Sequence, residues 1–360
     1  MILKFGEYSS SKNKTTIMAE KKPSPIKLLL GTIGIFGAFT YYGYLMGPIV
    51  KYKNSDGEKF GQFSFFLSAL EASANVLVGT VGLLLTQGTP SPGLPAKSFL
   101  LTGTSQVLSK TMFTMAQNFG LPFFLATLVK NAKMLPVMVG GMVTANEKYA
   151  ARKWFQVALI IGGCVLVTVG KNSSKPKEAA AAASADAGDS SAEMLGFLCL
   201  AVSLTGDGFT GGKQKAMNKA YEKNNGGKKL KPYDLMTFTN LAMMLVAVAV
   251  SLAKSEFFDG LDFLLANPDL LPMVVKFSFC SAIGQSAIFF TMANFDPLMV
   301  TMVTTTRKIF SVLLGIVQDG KVLAPLQWAG VAVATLGVIG EVQEKFGGGG
   351  GGKGSAGKKA

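Results

Sequence analysis

Apolar and polar positions along this chain come in long blocks, not in the short alternations of a soluble fold. Ten apolar runs stand out. They are Ile26–Val50, Phe63–Leu85, Phe99–Gln117, Leu121–Val143, Trp154–Val169, Ala192–Gly211, Tyr233–Leu252, Leu271–Met292, Pro297–Val317 and Leu326–Val342. A helix needs about 20 predominantly apolar residues to cross a hydrocarbon core, and most of these runs approach that length. The fifth and tenth are short and the third carries Lys110, which leaves nine as the alternative count. The pattern predicts an all-α membrane protein with ten transmembrane helices arranged as a 5+5 inverted repeat. Residues 1–25 form a polar cytosolic tail and 26–170 the first five helices. An Ala/Ser-rich linker, 171–191, follows, with no apolar face to make it a packed helix. Residues 192–342 supply the second five helices and 343–360 a Gly/Lys-rich cytosolic tail.

Composition agrees with the blocks. The 360 residues are 49% hydrophobic and only 16% charged, with 42 glycines that let helix backbones approach closely. The formal charge of +14 could suggest nucleic acid, but the cations lie between apolar runs, where they set topology, and no aromatic-interleaved basic stripe occurs. A nucleic-acid partner is therefore not expected. Seven lysines fall in Lys213–Lys231, and with the N-terminus in the cytosol the cations concentrate on the face that carries both termini. Cytosolic termini require an even helix number. No apolar stretch follows the first residues, so a cleaved secretory signal is not expected. The glycine run at Gly347–Gly354 lacks the Ser/Thr and the strand of a phosphate-binding loop.

Catalytic chemistry is poorly served. Histidine is absent, which removes the common triads, zinc-protease motifs and histidine relays. Cys164, Cys199 and Cys280 each sit inside an apolar run, with neither disulfide nor zinc spacing. No catalytic residue, metal or cofactor is expected.

Buried cations are the informative feature. Thr304-Thr305-Thr306-Arg307-Lys308 lies in the middle of the ninth run, where each charge costs about 2.5–3.5 kcal/mol on insertion scales. Aligning Leu121–Trp154 with Asp296–Trp328 pairs Pro122 with Pro297, Lys133 with Lys308, Val137 with Val312 and Gly140 with Gly315. After one gap Trp154 pairs with Trp328. Five helices separate these positions, so the halves would cross the membrane in opposite senses and enclose a mid-membrane site. Lys130, Lys133, Arg307 and Lys308 outnumber the candidate counter-charges, Glu71 and Asp207, and the excess points to an anionic substrate. Lys110 and Lys276 read as lysines that reach toward headgroups. Pro122, Pro136 and Pro297, with Gly140 and Gly315, are expected to supply bends and close packing.

The segment Cys280–Val331 resembles the UDP-galactose transporter-related branch of the nucleotide-sugar transporters, in the drug/metabolite transporter superfamily. Leu204–Met217 (LTGDGFTGGKQKAM) is similar to that branch's Asp-Gly-x-Thr-Gly…Gln signature. Asn240-Leu241 matches its seventh-helix Asn-Leu, and Lys130 through Pro136 its Lys-x-x-Lys-x-x-Pro. The resemblance spans about Ile26 to Val342. It implies exchange of a nucleotide sugar for the matching nucleoside monophosphate in endoplasmic reticulum or Golgi. It places phosphates on Lys130, Lys133, Arg307 and Lys308, with Asn240 near the base and Gln285, Tyr41 and Thr304 in the base and sugar vicinity. Two departures stand out. The first helix runs Tyr41-Tyr42-Gly43-Tyr44-Leu45 into Met46-Gly47-Pro48 where the family has Gln-Glu-Lys, and Leu121-Pro122-Phe123-Phe124 replaces Tyr-Pro-Thr-Gln.

The expected function is a nucleotide-sugar antiporter for UDP-galactose or UDP-glucose, working by alternating access within membrane lipid, with a homodimer as an assembly. Alternatives with the same cation logic are an adenine-nucleotide or 3′-phosphoadenylyl sulfate exchanger and a sugar-phosphate translocator. A membrane-embedded transferase would want an acid pair or metal ligands. A proton-coupled drug exporter would want an acid-lined cavity. A non-transporting scaffold leaves the duplicated lysines unexplained.

Overall fold

The computed structural model describes residues 25–86, 88, 93–133, 135–136, 138, 149–173, 187–227, 230–294, 297–318 and 323–347. Most of the two tails, most of the linker, and Gly140 lie outside them. The described residues form helices α1 (Pro25–Lys51), α2 (Ser64–Thr86), α3 (Ala96–Asn118), α4 (Phe123–Lys130), α5 (Ala151–Ser173), α6 (Ala187–Asn224), α7 (Pro232–Ala253), α8 (Glu256–Ala266), α9 (Leu271–Asn294), α10 (Pro297–Gln318) and α11 (Pro325–Gly347). Among the described residues, six helices are long and apolar enough to cross a membrane: α1, α2, α5, α6, α7 and α9. Their outward faces carry large exposed apolar side chains, such as Leu30, Leu85, Phe155 and Leu245, suited to contact with lipid.

Three features depart from the apolar pattern. The fifth and tenth runs, which read as short, extend to 23 residues each, because charged end residues such as Arg152 and Glu341 continue the helix. The sixth run does not stop at Gly211 but stays helical to Asn224, through half of the lysine-rich segment. There Met217 and Tyr221, four apart and both buried, pack with Phe99, Leu230 and Leu235 while Lys219 between them is exposed. The third is α8, which lies between the seventh and eighth runs. At 11 residues with two acids in its first turn it is too short and polar to register as a span.

α8 has a clear structural role. Its Glu256 is buried and accepts the Phe65 backbone N–H at 3.0 Å, placing a negative charge on the first turn of α2, where N–H groups lack helical partners. Its Phe263 packs on Phe60 and Phe63, and Phe257 on Phe66. The short 3-10 turn Phe60–Gln62 joins the same cluster, which seals the bundle at the end where α1 stops and α2 begins.

The helices pack in a definite set of partnerships. α1 runs along α9, α3 along α6, α2 along α7 and α5 along α11, while α2 also meets α9, α3 meets α7, and α10 meets α1 and α4. Glycine permits several of these close approaches. A Cβ on Gly163 of α5 would lie 2.5 Å from the Gly330 carbonyl oxygen of α11, and one on Gly330 would lie 2.7 Å from the Gly163 oxygen, so the two backbones touch.

Candidate functional site

The fourth run breaks where it matters. α4 ends at Lys130 and passes into a 3-10 turn, Asn131–Lys133, ahead of the helical Pro136. A proline there removes the N–H that would bond the Ala132 carbonyl, and its ring crowds that carbonyl, so the chain tightens into 3-10 geometry. Irregular backbone inside a membrane run is tolerated where it is buried in protein or lines a cavity. Pro122, by contrast, precedes the first residue of α4, and Pro297 is the first residue of α10. Both start helices and bend none.

A cavity of about 300 Å³ opens beside this break, the low end of the range for small-molecule sites. Each wall comes from residues at helical spacing: Phe39, Tyr42, Gly43 and Met46 from α1; Leu67, Ser68 and Glu71 from α2; Lys110, Phe113 and Thr114 from α3. Phe123, Thr127, Lys130 and Asn131 come from α4 and its turn, Asp207 from α6, Phe277, Ser281 and Gln285 from α9, and Arg307 and Ser311 from α10. Met46, Leu67, Phe123 and Phe277 are also buried members of the aromatic cluster, so that cluster is the cavity floor.

Among the described residues, the cavity lining carries three cations and two carboxylates. Lys110 Nζ lies 2.7 Å from Glu71 Oε1. Lys130 Nζ lies 3.2 Å from Asp207 Oδ2, 3.4 Å from Ser109 Oγ, and 4.7 Å above the Phe113 ring. Ser109 Oγ in turn donates to Asp207 Oδ1. Arg307 forms no ion pair among the described residues; its guanidinium lies 4.6 Å from the centre of the Phe39 ring. Its Nε is buried with no hydrogen-bond partner, as are Ser311 Oγ one turn along α10 and Thr127 Oγ1 on the facing α4. An unbonded N–H and two unbonded hydroxyls thus line one cavity, and among the described side chains the lining carries one positive charge in excess.

Several sequence-derived candidates fall elsewhere. Tyr41 faces outward, 41% exposed and stacked on Tyr44 at 6.1 Å; its neighbour Tyr42 lines the cavity, because successive helical residues point about 100° apart. Lys110 does not reach for headgroups but turns inward to Glu71, a partner on another helix that no local spacing announces. Lys276 is exposed on α9. Lys133 lies in the 3-10 turn and Lys308 on α10, with side chains outside those described. Thr304 is half-buried on α10 away from the cavity lining. Asn240 is buried behind Gln285, donating from Nδ2 to Gln285 Oε1 at 3.1 Å and to the Met236 carbonyl at 2.8 Å. On Gly315 a Cβ would meet Phe123 and Phe124 of α4 near 3.1 Å, which places α10 directly against α4. Ser311 and Thr127 were missed. The signal for both was helical spacing, four residues after Arg307 and three before Lys130.

Residues 27–345 match the UAA transporter family. Solute carrier family 35 member B1 of Gallus gallus is 30% identical over 330 residues, covering 91% of this chain and 95% of that protein. UDP-galactose transporter homolog 1 of Eremothecium gossypii is 28% identical, covering 89% and 96%. UDP-galactose/UDP-glucose transporter 3 of Arabidopsis thaliana is 26% identical, covering 87% and 91%.

Proposed function

The chain belongs to the UAA transporter family, and we propose that it is an antiporter exchanging UDP-galactose or UDP-glucose for a nucleoside monophosphate across the endoplasmic reticulum or Golgi membrane, with both termini cytosolic. The observation that carries this reading is Arg307, a half-buried cation at the wall of the cavity whose Nε is buried and unbonded. In this reading Arg307 grips phosphate oxygens, Lys130 leaves Asp207 to join it, and Lys133 and Lys308 complete the phosphate set. Ser311 and Thr127 hydroxyls satisfy the remaining oxygens. Gln285, oriented by Asn240, lies near the base. The names of two relatives, which specify UDP-galactose, support the substrate class.

Helix partnerships support the 5+5 inverted repeat. Counting only the ten membrane runs, a shift of five exchanges α1 with α6, α2 with α7, α3 with α9, α4 with α10 and α5 with α11. That shift turns the α1–α9 contact into α6–α3 and α2–α9 into α7–α3, and maps α2–α7, α4–α10 and α5–α11 onto themselves. Alternating access then follows from rocking one half on the other. With the anion bound, the excess positive charge is neutralised; without it, an occluded state carries an unmatched cation, which favours exchange over one-way flow.

Purified protein in vesicles preloaded with UMP is expected to take up UDP-galactose several-fold faster than in empty vesicles. Uptake indifferent to internal nucleotide, or exchange confined to adenine nucleotides, would overturn the reading. Asn240→Leu removes the bond that orients Gln285 and is expected to weaken apparent affinity about tenfold while the protein remains folded. Measuring KM and thermal unfolding on the same preparation checks both halves of that expectation.

A further inference from the structure

Phosphate binding leaves one group in the cavity unexplained, the carboxylate of Glu71. It is 4% exposed, and its Oε1 accepts from Lys110 at 2.7 Å and from the Ser281 hydroxyl. Gln285 lies one turn beyond Ser281 on α9, and both line the cavity. Tyr42 closes the group, its ring stacked on Phe277 at 4.3 Å. A carboxylate repels phosphate, and a ligand that meets Glu71 must present hydrogen-bond donors there. We infer that the wall formed by Glu71, Ser281 and Gln285 is the subsite for the glycosyl end of the substrate, with Glu71 accepting hydrogen bonds from sugar hydroxyls. The inference rests on the antiporter reading above and adds an orientation to it, phosphates toward Arg307 on α10 and sugar toward α2 and α9. It also gives Lys110 a part, holding the carboxylate in place as a fixed neutral pair and leaving phosphate to the other cations.

A purely neutralising Glu71, present only to balance Lys110, is the rival account, and a double substitution separates the two. Binding of UDP-galactose and of UDP is measured on the purified full chain, for wild type and for E71Q/K110M, which removes both charges together. The expected result is an affinity for UDP-galactose about tenfold weaker in the double variant, with UDP affinity within about twofold of wild type. Unchanged UDP-galactose affinity, or equal losses for both ligands, would overturn the inference while leaving the antiporter intact. A second measurement needs no variant. In wild type, at least one UDP-galactose analogue lacking a single ring hydroxyl is expected to bind about tenfold more weakly than the parent, and equal binding of all such analogues would overturn the assignment. Wild-type protein that binds neither UDP nor UDP-galactose would remove the antiporter reading and this one together.

Discussion

Arg307→Ala is expected to cripple nucleotide exchange, with uptake reduced about thirtyfold or more and folding preserved. The size follows from what the side chain does. Truncating one member of a desolvated charge pair costs about 2–5 kcal/mol, and each factor of ten is 1.4 kcal/mol. Folding is spared because Arg307 closes no ion pair among the described residues, so its removal leaves no carboxylate stranded, and the Phe39 face it covers can relax. Arg307→Lys should restore little. Lysine is a point charge, without the planar fork that grips two oxygens, and it has no counterpart of the buried Nε. Counterflow of labelled UDP-galactose, with thermal unfolding as the folding control, is the measurement. Exchange within threefold of wild type in Arg307→Ala would remove the central cation of the proposed site.

The second large effect concerns the scaffold. Gly330→Leu is expected to eliminate folded protein, because its Cβ would lie 2.7 Å from the Gly163 oxygen and 2.8 Å from the Val167 nitrogen, both backbone atoms that no rotamer change can move. Overpacking costs about 1–3 kcal/mol where neighbours can shift, and more where the obstructing atoms are backbone. The structure supplies a control one residue from the contact. Gly162 has nothing within 4 Å of a built Cβ, and Gly162→Leu should fold normally. Size-exclusion profiles after extraction should show a folded peak for the Gly162 variant and its loss for the Gly330 variant. Similar yields from both would mean that α5 and α11 do not pack backbone to backbone.

These two positions show how differently the chain discloses its parts. The cations were visible because charge inside an apolar run is costly and therefore rare, so Lys130 and Arg307 announce themselves without any structure. Gly163 and Gly330 did not, since among 42 glycines nothing local distinguishes a backbone contact from an exposed face. α8 was hidden for another reason. Its worth lies in Glu256 capping α2 and in aromatic packing, both contacts with residues far along the chain.

By itself the sequence determined the apolar runs and the presence of cations inside them, because membrane insertion is priced residue by residue along a helix. It also carried the matching Lys133 and Lys308 positions. The tertiary structure alone decided the use of those charges. It pairs Lys110 with Glu71 and Lys130 with Asp207, turns Tyr42 inward in place of Tyr41, and leaves Arg307 without an acid among the described residues. Which acid meets which base depends on helix partners far apart in sequence and on rotation about each helix axis, and a one-dimensional pattern of hydropathy contains neither.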